Sequence, residues 1–387
     1  MIEVEKAKLL ILQNASVLGK ELVPTIDSIG RVLAEDVSVE EDVPVQNLSA
    51  MDGFAIKLPC SYECKIVGES TTEKPFSREI FHNEAVKVST GSILPRGSNV
   101  VVLVEDAIVS GETVRFKKIP LEGKNIFKKG EEYEAGSIVA FNGSKISPFD
   151  LGTFCRLNKS KIKVVKRVRI SLLAIGGELV DCNEQGMYKN FLTPTFEAIL
   201  NKPHIKIQRN LICKSNSEIE NNLERSLYDS DIVISFGNAS FDKSDGLFPI
   251  AQKVFDPLFW RVKMQPGKSI MAFKKNKTFY FGLSGNVWAA VLGFYLFVRP
   301  LIFLLSGQDY SLKPFDVMLG EHFKKSSKEV RYLRGTVIDN KFYFKKFSQN
   351  SHSFKGFQNM THIARLNPGP AQEEGTLIRV SPFSLEV

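Results

Sequence analysis

Cysteine is scarce in this chain: five residues, at 60, 64, 155, 182 and 213, are scattered through 387. An odd, dispersed set excludes a disulfide framework, and Cys60 with Cys64 has no second pair to complete a zinc site. Free thiols in a reducing cytoplasm are expected. The first 18 residues carry acids and lack a basic segment leading into an apolar core, so a signal peptide is not expected. Long unbroken apolar runs are also missing. The stretch from Val287 to Leu305 contains Arg299-Pro300 and reads as a core helix ending there, not as a membrane span. No internal repeat and no low-complexity segment is present. Lys and Arg number 51 against 43 Asp and Glu, a net charge of +8, yet no basic stripe is interleaved with aromatics. Nucleic acid is therefore not an expected partner, whereas anionic small molecules are. The basic clusters from Lys159 to Arg169 and from Lys324 to Arg334 read as solvated faces.

What is present is a globular composition, 43% hydrophobic and 24% charged, long enough for two to four domains. Residues 3–18 place apolar side chains at helical spacing, and a second helical pattern runs from Ile26 to Leu33. Residues 56–118 alternate short β runs with turns and predict a small all-β unit. A helix should start near Ser147 with Pro148 in its first turn. From Val165 a β-α-β rhythm begins: strands at 165–174 and 205–208, helices at 190–200 and 221–228. The tail after Phe315 is β-rich, with turns at Asp339-Asn340 and at 367–370, and predicts a small barrel or sandwich.

The densest chemistry lies between Asp231 and Asn286. Asp231 to Ser235 reads as a buried parallel strand, and its turn, Gly237 to Ser240, lets backbone N–H groups approach a ligand. Asp231, Asp242 and Asp245 lie at or beyond that strand. Pro266-Gly267-Lys268 is a second loop with a cation, and Gly282 to Asn286, with Gly285, opens a helix after the strand 279–281. Ligands of open α/β sheets bind at the carboxyl ends of strands, so these loops predict a site for a phosphorylated ligand with metal.

These motifs, taken together, resemble the molybdopterin molybdenumtransferase family, which includes the bacterial molybdate-insertion enzyme and the E domain of gephyrin. The resemblance is carried in order by Gly30 to Val37, Ser49-Ala-Met-Asp-Gly-Phe-Ala55, Thr90-Gly91 with Leu94-Pro95 and Gly97, and Gly130-Glu131. It continues through Gly176 to Leu179, Asp231 to Asp245, Pro266 to Lys268, Gly282 to Asn286, Leu333-Arg334-Gly335 and Gln349 to Ser351. It implies an α/β multidomain fold with four parts. These are N-terminal helices with an extended linking region (1–43 with 125–164), a small β domain (44–124), a doubly wound α/β domain (165–310) and a C-terminal β-barrel (311–387). It also implies a cytoplasmic homodimer with composite sites, in contact with other molybdenum-cofactor biosynthesis proteins. The reaction implied inserts molybdate into adenylylated molybdopterin with release of AMP, assisted by magnesium.

Carried over residue by residue, the resemblance assigns Glu178, Asp231 and Asp245 to catalysis and, with Asp242, to the metal. Carboxylates suit a hard divalent cation beside phosphate. Asp52 and Thr90 are implied to be catalytic as well, and to face a neighbouring subunit's site. Lys268, Arg334 and Ser351 are implied to hold the oxyanion, with Gly237, Ser240, Gly285 and Asn286 lining the substrate site. The sequence departs from the family pattern at several points. Glu132 stands for an aspartate, Gly237-Asn238 for paired glycines, Val287 for a proline, and Gln265 for a basic residue before Pro266. Lys263 and Arg261 share the face of Gln265 on an extended segment and are candidates to replace its charge. Two functional readings follow: an active insertase, or a paralogue without catalysis that serves as a pterin-binding or scaffolding partner. A generic nucleotide-binding α/β protein would explain the loops but not the Asp52 region.

Overall fold

The computed structural model describes residues 1–237, 246–310 and 313–387. Contact density divides the chain into two compact units, Met1–Glu35 with Asn142–Leu151 and Lys161–Val387, and Asp36–Phe141 with Gly152–Ser160.

The first unit is built on a six-stranded sheet. Its strands are β1 (Val168–Ile175), β2 (Ile205–Cys213), β3 (Ile232–Phe236), β4 (Asp256–Trp260), β5 (Met271–Lys275) and β6 (Thr278–Leu283). The order is β2-β1-β3-β6-β5-β4, with the first four strands parallel and the last two antiparallel. Period-two alternation sends side chains to both faces. Leu172, Ile234 and Phe281 pack with α1 (Leu192–Leu200), α4 (Val287–Leu305) and the N-terminal helix Val4–Gln13. Leu173, Val233 and Tyr280 pack on the opposite face with α2 (Asn216–Asp229) and α3 (Leu247–Val254). The sheet is thus covered on both sides, as its apolar runs require. Ser215 caps α2, its hydroxyl accepting the N–H of Glu218.

Helix α4 runs through Arg299-Pro300 instead of ending there. A π-helical turn at Phe294–Val298 precedes the proline, the local adjustment that accommodates a residue lacking an N–H. The helix is 89% buried inside the fold, so its apolarity serves the core. It closes at Ser306-Gly307, with Gly307 at φ +74°. The helical pattern from Ile26 to Leu33 is also corrected. Only Thr25–Asp27 forms a single 3-10 turn; Gly30 at φ +71° breaks it, and Val32 and Leu33 extend to pair with Lys145 and Val164. The helix Pro148–Arg156 starts as expected, with reciprocal hydrogen bonds between Ser147 and Asp150.

The tail closes into a barrel of β7 (Phe315–Leu319), β8 (Val330–Ile338), β9 (Lys341–Tyr343), β10 (His362–Leu366) and β11 (Leu377–Pro382). The order β8-β9-β7-β11-β10 returns to β8. Val317, Leu333, Phe342, Ala364 and Val380 fill it. The β8–β9 hairpin turns on Asp339 and Asn340, both at positive φ as a two-residue turn demands. The two-residue strand Met264–Gln265 adds to β8 in parallel, joining the loop between β4 and β5 to the barrel sheet.

The second unit holds a six-stranded mixed sheet, Gly53–Ile56, Glu63–Ser70, Glu84–Val88, Val100–Leu103, Ala107–Ser110 and Thr113–Phe116, packed around Phe54, Ile56, Val100 and Val114. Short two-stranded ribbons, Leu48–Ser49 with Ile126–Phe127 and Val37–Ser38 with Ile138–Ala140, complete it.

Asp231 is the residue whose role departs most from expectation. It stands at the entry to β3, as the reading of 231–235 as a strand has it, and so lies at the amino end, away from the loops to which the metal role assigned it. Its carboxylate accepts from the backbone N–H of Arg169 at 2.8 Å and from the guanidinium at 2.9 and 3.2 Å, pinning the amino end of β3 to that of β1. Five residues of parallel strand, about 16 Å at 3.3 Å each, separate it from the carboxyl-end loops. A metal role at those loops is corrected on that geometry.

Two outcomes are expected. Asp231→Asn should lower stability by about 2–3 kcal/mol, because it strips a half-buried guanidinium of its counter-ion, and should leave chemistry at the far strand ends at its wild-type rate; thermal unfolding beside a turnover assay checks both. Phe196 of α1 stacks against Phe236 at 4.6 Å and Phe294 at 5.2 Å. Phe196→Ala should cost about 3–5 kcal/mol, read as a lower midpoint in urea.

Candidate functional site

Three strand ends come together at the carboxyl edge of the sheet. Gly237, at φ +98°, lies so close to the end of β1 that a Cβ there would sit 2.5 Å from the Ile175 carbonyl oxygen. A Cβ on Gly285 would meet the Cα of Gly237 at 3.5 Å. The predicted loops after β3 and β6 are therefore in contact, and only glycine fits at the tighter of the two positions. Glu178 follows the end of β1, is exposed, and folds its carboxylate back toward Gly176.

Beside these ends opens a cavity of about 550 Å³, lined among others by Lys268, Ser269, Ser284, Asn286, Glu329 and Ser351. Asn286 stands at the start of α4 and makes no capping bond with its side chain. Ser284 accepts the Asn286 N–H at 3.1 Å. The first turn of a 19-residue helix faces this region, and helix amino ends favour anions. The Ser351 carbonyl accepts the Trp288 N–H at 2.9 Å, which fixes the 348–353 loop to the helix start. Gly267, at φ +93°, presents Lys268.

The cavity contains an acid that the sequence did not single out. Glu329 Oε1 lies 2.6 Å from Lys268 Nζ, with both side chains largely shielded from solvent. The lysine is thus paired before any ligand arrives. Gln265 is partnered in turn: its side-chain oxygen accepts a hydrogen bond from Arg331. The cation beside the missing basic residue is therefore Arg331, from the barrel. Lys263 is instead paired with Glu3 at 2.6 Å, and Arg261 stacks over Trp260. Neither lines the cavity.

Arg334 does not reach the anion pocket, which corrects its assignment as a ligand. It is fully buried, with its guanidinium between the rings of Trp288 and Phe357 at 5.1 and 4.9 Å. It donates to the carbonyl oxygens of Ser353 at 3.1 Å, Asn350 at 2.9 Å and Ser348. Burial pushes its pKa down to about 10, which still leaves it charged at neutral pH. Its work is to shape the loop that carries Ser351.

In the second unit Asp52 and Thr90 meet as a pair. The Thr90 N–H donates to the Asp52 carboxylate at 2.7 Å and its hydroxyl at 3.1 Å. These bonds hold the exposed carboxyl below the ordinary aspartate range, so it is ionised at neutral pH. Glu132 is tied to Arg156 by paired hydrogen bonds at 2.9 and 2.7 Å. Ser240, Asp242 and Asp245 lie outside the described residues.

Comparison with known proteins bears on the same segments. Residues 2–157 match the family model for the MoeA N-terminal region (domain I and II), and residues 171–303 match a probable molybdopterin binding domain. The molybdopterin molybdenumtransferase of Haemophilus influenzae is 28% identical over 342 residues, spanning 86% of this chain and 83% of that protein. That of Staphylococcus aureus is 29% identical over 353 residues, with the same coverage. Crystal structures of a molybdopterin biosynthesis protein from Pyrococcus horikoshii superpose with TM-scores of 0.85 and 0.75 at 19% and 20% identity, each over 99% of this chain and 99% and 100% of theirs. The order of domains, the lengths matched and the fold agree, and this chain belongs to the molybdopterin molybdenumtransferase family.

Proposed function

We infer that this chain is a molybdopterin molybdenumtransferase that takes adenylylated molybdopterin and molybdate, cleaves the phosphoanhydride, releases AMP and leaves molybdenum on the pterin dithiolene. The observation that carries the reading is the cavity at the carboxyl end of the sheet. It sets Lys268, the Ser351 loop and the amino end of α4 around one space, and it lies within a chain whose relatives carry this activity by name. An ammonium, a hydroxyl and a helix amino end suit an oxyanion. Glu329 is the internal counter-ion that a dianion must displace or share.

We propose magnesium as the assisting ion. Magnesium takes one or two carboxylates together with substrate phosphates, and Glu178 at the end of β1 fits that demand. Asp242 and Asp245 are proposed as its companions from the sequence alone. Among the described residues no group of three metal-ligating side chains gathers, so the substrate's own oxygens would complete the shell. Bound there, the ion would offset the negative charge of the phosphoanhydride. We further propose a homodimer in which Asp52 and Thr90 serve the partner's site; the exposed Asp52 carboxylate, held ionised by its bonds from Thr90, supports that role. A cytoplasmic setting accords with five free thiols; contact there with other enzymes of the same biosynthesis is proposed from the family resemblance alone.

The function is tested by reconstitution with purified chain, adenylylated molybdopterin, magnesium and molybdate, following AMP release and molybdenum incorporation. Pterin binding with no AMP release would make the chain a binding partner instead. In the same assay Glu329→Gln should free Lys268 and tighten half-saturation by molybdate about tenfold, the equivalent of about 1.4 kcal/mol. Looser half-saturation would mean that Glu329 positions the lysine rather than competing for it. The composite site is tested by mixing inactive Asp52→Ala and Glu178→Gln subunits. Partial recovery of activity is expected; none on mixing, or a monomer by light scattering, rules the shared site out.

A further inference from the structure

A second cavity, of about 700 Å³, opens at the opposite end of the sheet, where the parallel strands begin. Six cations line it: Arg31, Lys166, Arg167, Arg169, Lys206 and Lys277. Two carboxylates share the wall, and each is already held. Glu21 is paired with Arg31, which also donates to the Val165 carbonyl at 2.9 Å, and Asp231 is paired with Arg169. Lys166, Arg167, Lys206 and Lys277 remain, with no ion pair among the described residues. Four unpaired charges in one concavity are half of the chain's net excess of +8. They come from separate segments, before β1, within β2 and before β6, so the fold, not a run of sequence, brings them together.

The C-terminus of α2 does not account for this cluster. It has its own partners, since Gln208 donates to the Asp229 carbonyl at 2.7 Å and Arg209 pairs with the Asp229 carboxylate. The pKa of buried His204, whose carbonyl accepts the Val168 N–H at 2.9 Å, is pushed down to about 4, chiefly by desolvation, with Lys145, Arg31 and Lys202 adding to it. Concave sites lined by one sign of charge concentrate ions of the other sign. Among the described residues no aromatic side chain lines the space, so none is offered to stack a base. The volume suits a small ligand.

We propose that this cavity binds a small polyphosphate anion, recognised through its chain of phosphoryl groups by Lys166, Arg167, Lys206 and Lys277. A ligand with three or more negative charges matches four cations, and Arg167 offers a planar fork to phosphate oxygens. The site is separate from the molybdate cavity, at the far end of the strands.

The test is titration calorimetry on the full chain at low salt with inorganic triphosphate as the probe, repeated with ATP and with a short polyglutamate peptide. One triphosphate per chain is expected. Lys206→Glu with Lys277→Glu should weaken it at least about tenfold, and the paired glutamine variants should do so in the same direction with an unchanged unfolding midpoint. Lys324→Glu with Lys325→Glu, an equal charge change elsewhere, should leave binding as it is, and so should Lys268→Ala. ATP binding as tightly as triphosphate would support recognition of the phosphoryl chain. The proposal is overturned by an equal loss in the Lys324 and Lys325 control, by loss in Lys268→Ala, by ATP binding while triphosphate does not, by polyglutamate binding as tightly, or by no binding at low salt.

Discussion

A sheet buried on both faces has no room for chemistry except at its two ends, and that constraint arranges the rest of this molecule. Helices cover Leu172, Ile234 and Phe281 on one side and Leu173, Val233 and Tyr280 on the other. Polar groups along β1, β3 and β6 must therefore be satisfied inside, as Ser235 and Tyr280 satisfy each other at 2.8 Å. Everything that can meet a solute is displaced to the strand termini. The carboxyl end gathers glycine turns, a helix start and a lysine. The amino end gathers cations and the Asp231–Arg169 pair. The identity of each end follows from chain direction, since parallel strands deliver all their exits to one edge and all their entries to the other.

That logic also explains which parts of the molecule could be read from the sequence. Continuous β-branched runs such as Ile232 to Ile234 announce buried parallel strands, and Asp339-Asn340 announces a hairpin. The antiparallel pair β4 and β5 was not legible, because Arg261 and Lys263 obscure the pattern between them and an edge strand needs less apolar sequence. The helical spacing from Ile26 to Leu33 misleads because Ile26 and Ile29 are exposed and carry no packing information. Site residues divide in the same way. Asp52 and Thr90 are 38 residues apart, yet their motifs are distinctive and the fold joins them. Glu329 and Arg331 carry no motif. Their importance comes from the parallel pairing of β8 with Met264–Gln265, a non-local fact. Asp231 stands at the entry to its strand, as the apolar run after it indicates, yet grouping it with the acids of the following loop hides the strand length that separates the two ends.

Arg334 illustrates how a charge can be conformational rather than chemical. Removed from water and placed between two rings, it directs donors at three carbonyls of one loop. Gly356 makes the approach possible, since a Cβ there would fall 2.3 Å from the guanidinium carbon. The hydroxyl of Ser351 is therefore placed by a residue that never touches the cavity, and a cation in a binding motif need not be a ligand.

The two-residue strand at Met264–Gln265 makes the Lys268 loop a member of two bodies at once. One end of that loop continues into β5 of the central sheet, while the other is stitched to β8 of the barrel through Val330 and Arg331. A tether of this kind works as a short crank. Any tilt of the barrel against the sheet has to be taken up within the few residues from Pro266 to Ile270, and so moves the ammonium of Lys268 and the carboxylate of Glu329 relative to α4. The lysine and its counter-ion are thus carried by neighbouring segments of one sheet, so the charge pair inside the cavity is set by the pairing of two short strands rather than by either loop alone.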